Sequence, residues 1–443
     1  MCLRKKHWII LLCVVLIFIL LLLNNYRTSK VINPAKINGS ISNVALINKL
    51  DADWWRYQII SHKTLHSIGW TKFLNGVYGF SAFWDNRIGE SGIFARLIGI
   101  VHRNISTLIK LKCIVKNEDN EIAATLFYHI IEEYHEKNHA AVMFICTPKK
   151  IFPIPKLISI ISNENNRKIW LPIQRYTSVK SAKNKMAVCV RPLYGPFNDT
   201  YAIARFIAYY KTIGFMHFIF YAQEITEQVK TYLLKLSQNK VSIDLLPWFL
   251  PSDIQDTWAQ GQLACIQDCI YRYMYLFEYI LIVDLDERIV PKISYTMQET
   301  MNNLVLKDVN KNAGAFMIRH TYFCITKSQK VSHEPVLLID NVKRMRNIWP
   351  SEQRSKLILK PETIEICGIH AVQKMFGGWK QVEIPPQLAL LNHYRVNACN
   401  KSKNAALNEK NIEYFNDYSA KKYVKNVLNS FIIEIWKDMF LRV

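Results

Sequence analysis

The chain has 443 residues, half of them apolar, and a formal net charge of +22. That length leaves room for two domains with sizeable cores, and no internal repeat or low-complexity segment interrupts it. A basic balance first suggests nucleic acid, but Lys and Arg are scattered rather than clustered and no nucleic-acid-binding motif occurs, so that class is set aside. A surface suited to anionic lipid head groups or a nucleotide diphosphate, or simply a solvated lysine-rich face, remains.

Residues 8–23 carry no charge, and Arg4, Lys5 and Lys6 precede them. At the helical rise this run is roughly 24 Å long, enough for a thin secretory-pathway bilayer. The flanking charges predict a cytosolic N-terminus. A cleaved signal peptide needs a shorter apolar core and a small-residue cleavage site, and "LLLNNYRTSK" offers none. The expectation is therefore a cytosolic tail (1–7), an uncleaved transmembrane signal-anchor (8–23) and a polar stem (24–50), with the remainder in the lumen of the Golgi or endoplasmic reticulum. Sequons at Asn38, Asn104, Asn198 and Asn400 fit that topology. Eight of the ten cysteines, Cys113 to Cys399, then lie where disulfides persist. Their spacing matches no zinc site and leaves the pairing open.

Residues 51–180 read as a strand-rich luminal domain. "ARLIGIVHR", "TLIKLKCIV", "AAVMFICTP" and "KIWLPIQRY" carry β-branched and aromatic residues between turn signals. The run "IAATLFYHIIEEYHEK" is expected to be a helix. Cys113 and Cys146 fall on two of the strand runs and either staple them or stay as buried thiols. From residue 181 to 443 the rhythm becomes strand–helix alternation. "KMAVCVRPLYG", "HFIFYAQ", "SIDLLPWFLP" and "EYILIVDLDE" are apolar strands; the segments between them have helical spacing, with Asp199 as a cap and Gly214 as a stop. Such alternation predicts an α/β fold with a mostly parallel sheet and helices on both faces, its ligands bound beyond the carboxyl ends of the strands.

The strand "EYILIV" runs into Asp284, Asp286, Glu287 and Arg288. Side chains alternate along a strand, so a strand continued this far puts Asp284 and Asp286 on one side. Buried carboxylates need a partner, and an all-oxygen pair suits Mn²⁺ or Mg²⁺, which bridges the phosphates of a nucleotide. Arg288 would neutralise a carboxylate or touch phosphate. Asp-x-Asp after an apolar strand also opens haloacid-dehalogenase-type phosphotransferases, but those carry Thr or Val where Arg288 stands and tend to open their domain with the motif. A turn with solvated acids is the plainer alternative.

The blocks "VCVRPLYGP", "FIAYYKTIGFMHFIFYAQE", "LLPWFLP", "GQLACIQDCIYRY" and "EYILIVDLDERIVP" resemble, in that order, successive blocks of glycosyltransferase family 92. "GVYGFSAFWDNR" resembles its upstream block, and "KLILKPETIEICGIHAV" and "LLNHYR" its downstream ones. The resemblance implies a GT-A-like, Rossmann-like fold behind the strand-rich domain and the anchor. It implies a metal-dependent inverting glycosyltransferase that moves galactose from UDP-galactose onto a glycan acceptor; a membrane-anchored glycan-binding protein that lost turnover is the alternative. Carried over by residue, Asp284, Asp286 and His393 become metal ligands. Arg191, Gln262, Lys356, His370 and Glu287 are donor-side candidates, Gln262 because it opens a helix and helix N-termini suit anions. Each also has a plainer reading as a capping, core or surface residue. The catalytic base is sought in Glu352 or Glu365, which lie between the metal motif and "NHYR".

Overall fold

Strands dominate the described part of the chain. The computed structural model describes residues 69–442 except 88–93, 104–110, 119, 134, 149–153, 164–166, 176–184, 307–309, 326–336 and 397–412. The expected tail, anchor and stem lie outside the described residues, as do the sequons at Asn38, Asn104 and Asn400. Asn198 is exposed.

Among the described residues eight strands come first: β1 (Thr71–Leu74), β2 (Val77–Asp85), β3 (Phe94–His102), β4 (Leu111–Asn117), β5 (Asn120–Ile130), β6 (His139–Pro148), β7 (Leu157–Ser162) and β8 (Leu171–Gln174). They pair in the order β1-β2-β3-β6-β5-β4-β7-β8, and β8 returns to β2, closing β2 to β8 into a seven-strand barrel with β1 outside. Closure leaves few free edges. Val77, Ala82, Leu97, Cys113, Phe144 and Ile160 belong to one buried cluster. The alternate residues Tyr78, Phe80, Phe83, Ile98 and Ile100 pack with Trp248, Ile254 and Leu263 from later in the chain. Burial on both faces explains why β2 and β3 are apolar almost throughout. The segment expected as a helix is β5; its residues alternate in exposure, and pairing with both β4 and β6 settles its conformation. Cys113 and Cys146 form a disulfide joining β4 to β6.

The next strands are β9 (Met186–Val190), β10 (His217–Ala222), β11 (Ser242–Pro247) and β12 (Tyr279–Val283), connected through helices Thr200–Thr212, Glu227–Gln238 and Gln262–Tyr273. Asp199 caps the first helix by accepting from Ala202 N, and Gly214 beyond its end takes a φ of +107°. Then come β13 (Glu287–Pro291), helix Met297–Val305, β14 (Ala313–Ile318), β15 (His320–Ile325), β16 (Lys343–Met345), β17 (Lys356–Leu359), β18 (Ile364–Cys367), β19 (Val372–Met375), β20 (Lys380–Ile384), β21 (Ala389–Val396), β22 (Tyr414–Asn416) and the helices Val424–Leu428 and Phe431–Phe440.

The expectation of a GT-A-like, Rossmann-like, mostly parallel sheet with flanking helices is overturned. The described residues hold a closed barrel and mixed sheets. The sheet β11-β10-β9-β12-β17-β14-β20 is parallel from β11 to β12, but β17 runs antiparallel to both β12 and β14. A further sheet, β13-β21-β15-β16-β22, is also mixed, and β18 and β19 form an antiparallel pair. The physical reason is long-range pairing. Helical crossovers carry parallel pairing from β9 to β12, but the next neighbour, β17, comes from some 75 residues further on and enters from the opposite end, a direction that no local pattern sets. Among the described residues, no helix is long and apolar enough to cross a membrane.

Candidate functional site

β9 and β12 are parallel neighbours, and each ends in a charged residue: Val190 is followed by Arg191, and Val283 by Asp284. β17 runs the other way, so its first residue, Lys356, comes to the same end of the sheet. β13 and β21 add Glu287 opposite His393 in antiparallel register. Backbone pairing thus gathers residues up to 202 positions apart.

β12 stops at Val283, so strand alternation does not govern the two aspartates; Asp284 to Asp286 form a turn into β13. Their side chains take different partners. Asp284 Oδ2 accepts from Lys356 Nζ at 3.1 Å, while Oδ1 lies 3.5 Å from the Gln262 amide nitrogen and 3.8 Å from Arg191 Nε. Asp286 Oδ2 lies 3.4 Å from His393 Nε2. Glu287 accepts from the Asp284 backbone N–H at 3.0 Å and lies 3.5 Å from both Lys356 Nζ and His393 Nδ1. Asp286 is the open member, with 38% of its side chain exposed against 15% for Asp284 and 3% for Glu287.

The electrostatics follow from these contacts. Burial would raise the Asp284 pKa, but the charges of Lys356 and Arg191 outweigh it and hold it low. Burial would likewise raise Asp286, and His393 outweighs it. Burial does prevail at Glu287, whose pKa is raised. His393 is raised because Asp286, then Glu287 and Asp284, overcome the cost of burying its charge.

Several expected roles change. Lys356 is 1% exposed and holds two carboxylates, so a direct diphosphate contact would have to break an ion pair. Gln262 does open the helix Gln262–Tyr273, and the anion it reaches is Asp284. Arg288 is buried beneath Phe206, donates to the Leu285 and Glu287 carbonyls, and neutralises no carboxylate of the cluster. Arg191, with 38% of its side chain exposed, is the cation open to a ligand. His370 bonds through Nδ1 to the Ser355 carbonyl, and burial lowers its pKa to about 4, so it is neutral at physiological pH. Glu365 is clamped by Arg96 at 3.1 Å and Lys374 at 3.0 Å, in a network that includes Asp85 and Arg87. Glu352 is exposed, in a turn with φ +67°.

One acid had no sequence signal. Glu133, in the loop after β5, has a φ of +71° and accepts from Ile369 N at 2.8 Å. Burial raises its pKa, opposed by the backbone N–H groups of Ile369 and His370 and by the Lys356 charge. It stands in a segment read as helix, within an ordinary acidic run, and only the docking of the barrel brings it here.

Among the described residues, no three His, Cys, Asp or Glu side chains form a ready-made ion cage. A two-donor site does fit a divalent ion. Metal–ligand bonds of about 2.1 Å at right angles put neighbouring donors about 3 Å apart, and Mg²⁺-type sites commonly use one or two protein ligands plus substrate phosphates. Asp286 Oδ2 and His393 Nε2 have nearly that separation, and Glu287 and His320 Nε2 (3.2 Å) face the other ring nitrogen, as supporting groups of metal-bound histidines do.

This acid–histidine–cation cluster falls within the segment, residues 184–431, that matches the profile of Glycosyltransferase family 92. The match spans more than half of the chain, which belongs to that family and is a glycosyltransferase; the family's chemistry calls for a nucleotide-sugar donor and a glycan acceptor. Beta-1,4-galactosyltransferase galt-1 of Caenorhabditis elegans is 23% identical over 376 residues, covering 82% of each chain. Glycosyltransferase family 92 protein F13G3.3 of the same species is 22% identical over 331 residues, 68% of this chain and 64% of its own. Of the solved structures, glucosyl-3-phosphoglycerate synthase from Mycobacterium tuberculosis aligns with a TM-score of 0.25 at 9% identity over 48% of this chain and 73% of its own, too low to carry an argument.

Proposed function

We propose that the protein transfers galactose from UDP-galactose to a glycan hydroxyl, with inversion at the sugar carbon, in the lumen of the Golgi or endoplasmic reticulum. The observation that carries this reading is the facing pair Asp286 and His393 beside the half-open Arg191. Galactose is supported by the name of the galt-1 relative. An oxidising compartment is supported by the disulfides Cys113–Cys146 and Cys189–Cys269.

In this reading Asp286 and His393 would hold Mn²⁺ or Mg²⁺, and such an ion, when bound, offsets charge on a departing diphosphate. The chain's own groups do the rest. Arg191 binds and orients the diphosphate. Lys356 keeps Asp284 ionised and holds both Asp284 and Glu287 in place, and Glu287 orients the His393 ring. Glu133 accepts the proton of the attacking hydroxyl: its raised pKa favours proton uptake, while Glu365 has its Oε1 held by both Arg96 and Lys374. Single displacement needs only this one base.

Turnover of radiolabelled UDP-galactose, measured with Mn²⁺ and with a chelator, tests the proposal. Ion-dependent release or transfer of the label is expected. Absence of turnover with every nucleotide sugar would favour a glycan-binding protein of the same fold.

A further inference from the structure

Arg288 and Arg205 are 1% and 5% exposed and line one small cavity, walled by Tyr209, Leu338, Ile339 and Val427, with room for an atom-sized guest. Arg288 Nη1 donates to the carbonyls of Leu285 and Glu287 at 2.8 and 2.7 Å, but its Nη2 is buried with no acceptor among the described residues. Arg205 Nε is buried without one as well. The carboxylate paired with Arg205 is Asp199, whose Oδ2 stands 4.0 Å from Arg205 Nη2 while Oδ1 caps a helix.

Two desolvated guanidinium groups therefore share a cavity, and the carboxylates of Asp199 and Asp286, which act on Arg205, are engaged in a helix cap and in the acidic cluster. Buried cations demand a counter-charge, and buried N–H groups demand an acceptor. A water would give these N–H groups an acceptor and could donate to the Tyr209 hydroxyl oxygen, whose own proton goes to the Ile289 carbonyl, but it brings no counter-charge to the two guanidinium groups. A monatomic anion needs only donors. Phosphate and carboxylate are too large for the space.

We propose that Arg205 and Arg288 bind a halide-sized monovalent anion, chloride under physiological conditions, between Arg205 Nε and Arg288 Nη2. Because the same Arg288 side chain holds the carbonyls of Leu285 and Glu287 on either side of Asp286, the bound anion firms the turn that presents the acidic cluster.

The test is thermal unfolding of the full chain in chloride and, at equal ionic strength, in gluconate, which is too large to enter. A saturable rise in unfolding midpoint of roughly 2 °C is expected in chloride alone, and Arg205→Leu should abolish it. Equal midpoints in both salts, or an undiminished chloride response in Arg205→Leu, would overturn the proposal. If that variant does not fold, anomalous scattering from wild-type crystals grown in bromide decides. A peak within hydrogen-bonding range of both guanidinium groups supports the site; no peak there leaves a water-filled cavity and overturns it.

Discussion

His393 faces two acids through its two ring nitrogens: Nε2 lies 3.4 Å from Asp286 Oδ2 and Nδ1 lies 3.5 Å from Glu287 Oε1. A proton on Nδ1 directed to Glu287 leaves the Nε2 lone pair facing Asp286, the arrangement in which an imidazole and a carboxylate share one ion. Asp286→Asn and His393→Ala are each expected to lower UDP-galactose turnover by more than about 100-fold while the unfolding midpoint stays within a few degrees. Wild-type turnover in either variant would remove the pair from the site.

Glu287 acts through the His393 ring. Glu287→Gln is expected to weaken Mn²⁺ affinity by roughly 10–100-fold, the range for supporting residues of metal-bound histidines. Calorimetric titration with Mn²⁺ and UDP reads this directly. Unchanged affinity would make Glu287 only a partner of Lys356.

Glu133 as base and Glu133 as a clamp on Ile369 are separable. Glu133→Gln keeps an oxygen for the Ile369 N–H but cannot take a proton. A drop in kcat of about 10²–10⁴ with KM little changed is expected. A clamp would leave kcat near wild type in this variant.

Glu365 supplies the contrast. Glu365→Gln removes a carboxylate that Arg96 and Lys374 both use. It is expected to cost about 2 kcal/mol of stability, read from chemical denaturation, with kcat of the folded enzyme unchanged. A large loss of kcat without loss of stability would reinstate it as base.

Asp417 gives the fold a pH dependence remote from the acidic cluster. Burial would raise its pKa, but hydrogen bonds from Ser419 and the charges of Lys292 and Arg344 pull it down to about 2. A depressed folded-state pKa means the stabilisation is complete above the unfolded value and is lost as pH falls from about 4 toward 2. The contribution is roughly 2 kcal/mol at neutral pH. Asp417→Asn should be less stable than wild type by that amount at pH 7, and the gap should close in acid; a gap that persists unchanged at low pH would contradict the assignment.

Local elements were legible because local rules set them. Asp199 and Gly214 bracket a helix as cap and stop residues do, and the apolar runs from Met186 to Val283 are strands. Strand pairing was not legible. β5 has a pattern that fits a helix, and its neighbours β4 and β6 decide otherwise. The direction of β17 depends on residues some 75 positions away, and the sheet is mixed for that reason. In the site, the candidates Arg191, Gln262, Asp284, Asp286, Glu287, Lys356 and His393 do gather, but their partners were hidden. A lysine that opens a strand reads as surface, whereas Lys356 is buried between two acids. Glu133 had no signal at all, because a loop of the barrel delivers it across the fold.

The most direct test of the account is a crystal structure with Mn²⁺ and UDP, phased to show the anomalous signal of manganese. The expected result is one peak bonded to Asp286 Oδ2 and His393 Nε2 and to diphosphate oxygens, with Lys356 still on Asp284. Manganese bound elsewhere, or UDP seated with His393 still paired to Asp286 and no ion between them, would contradict it.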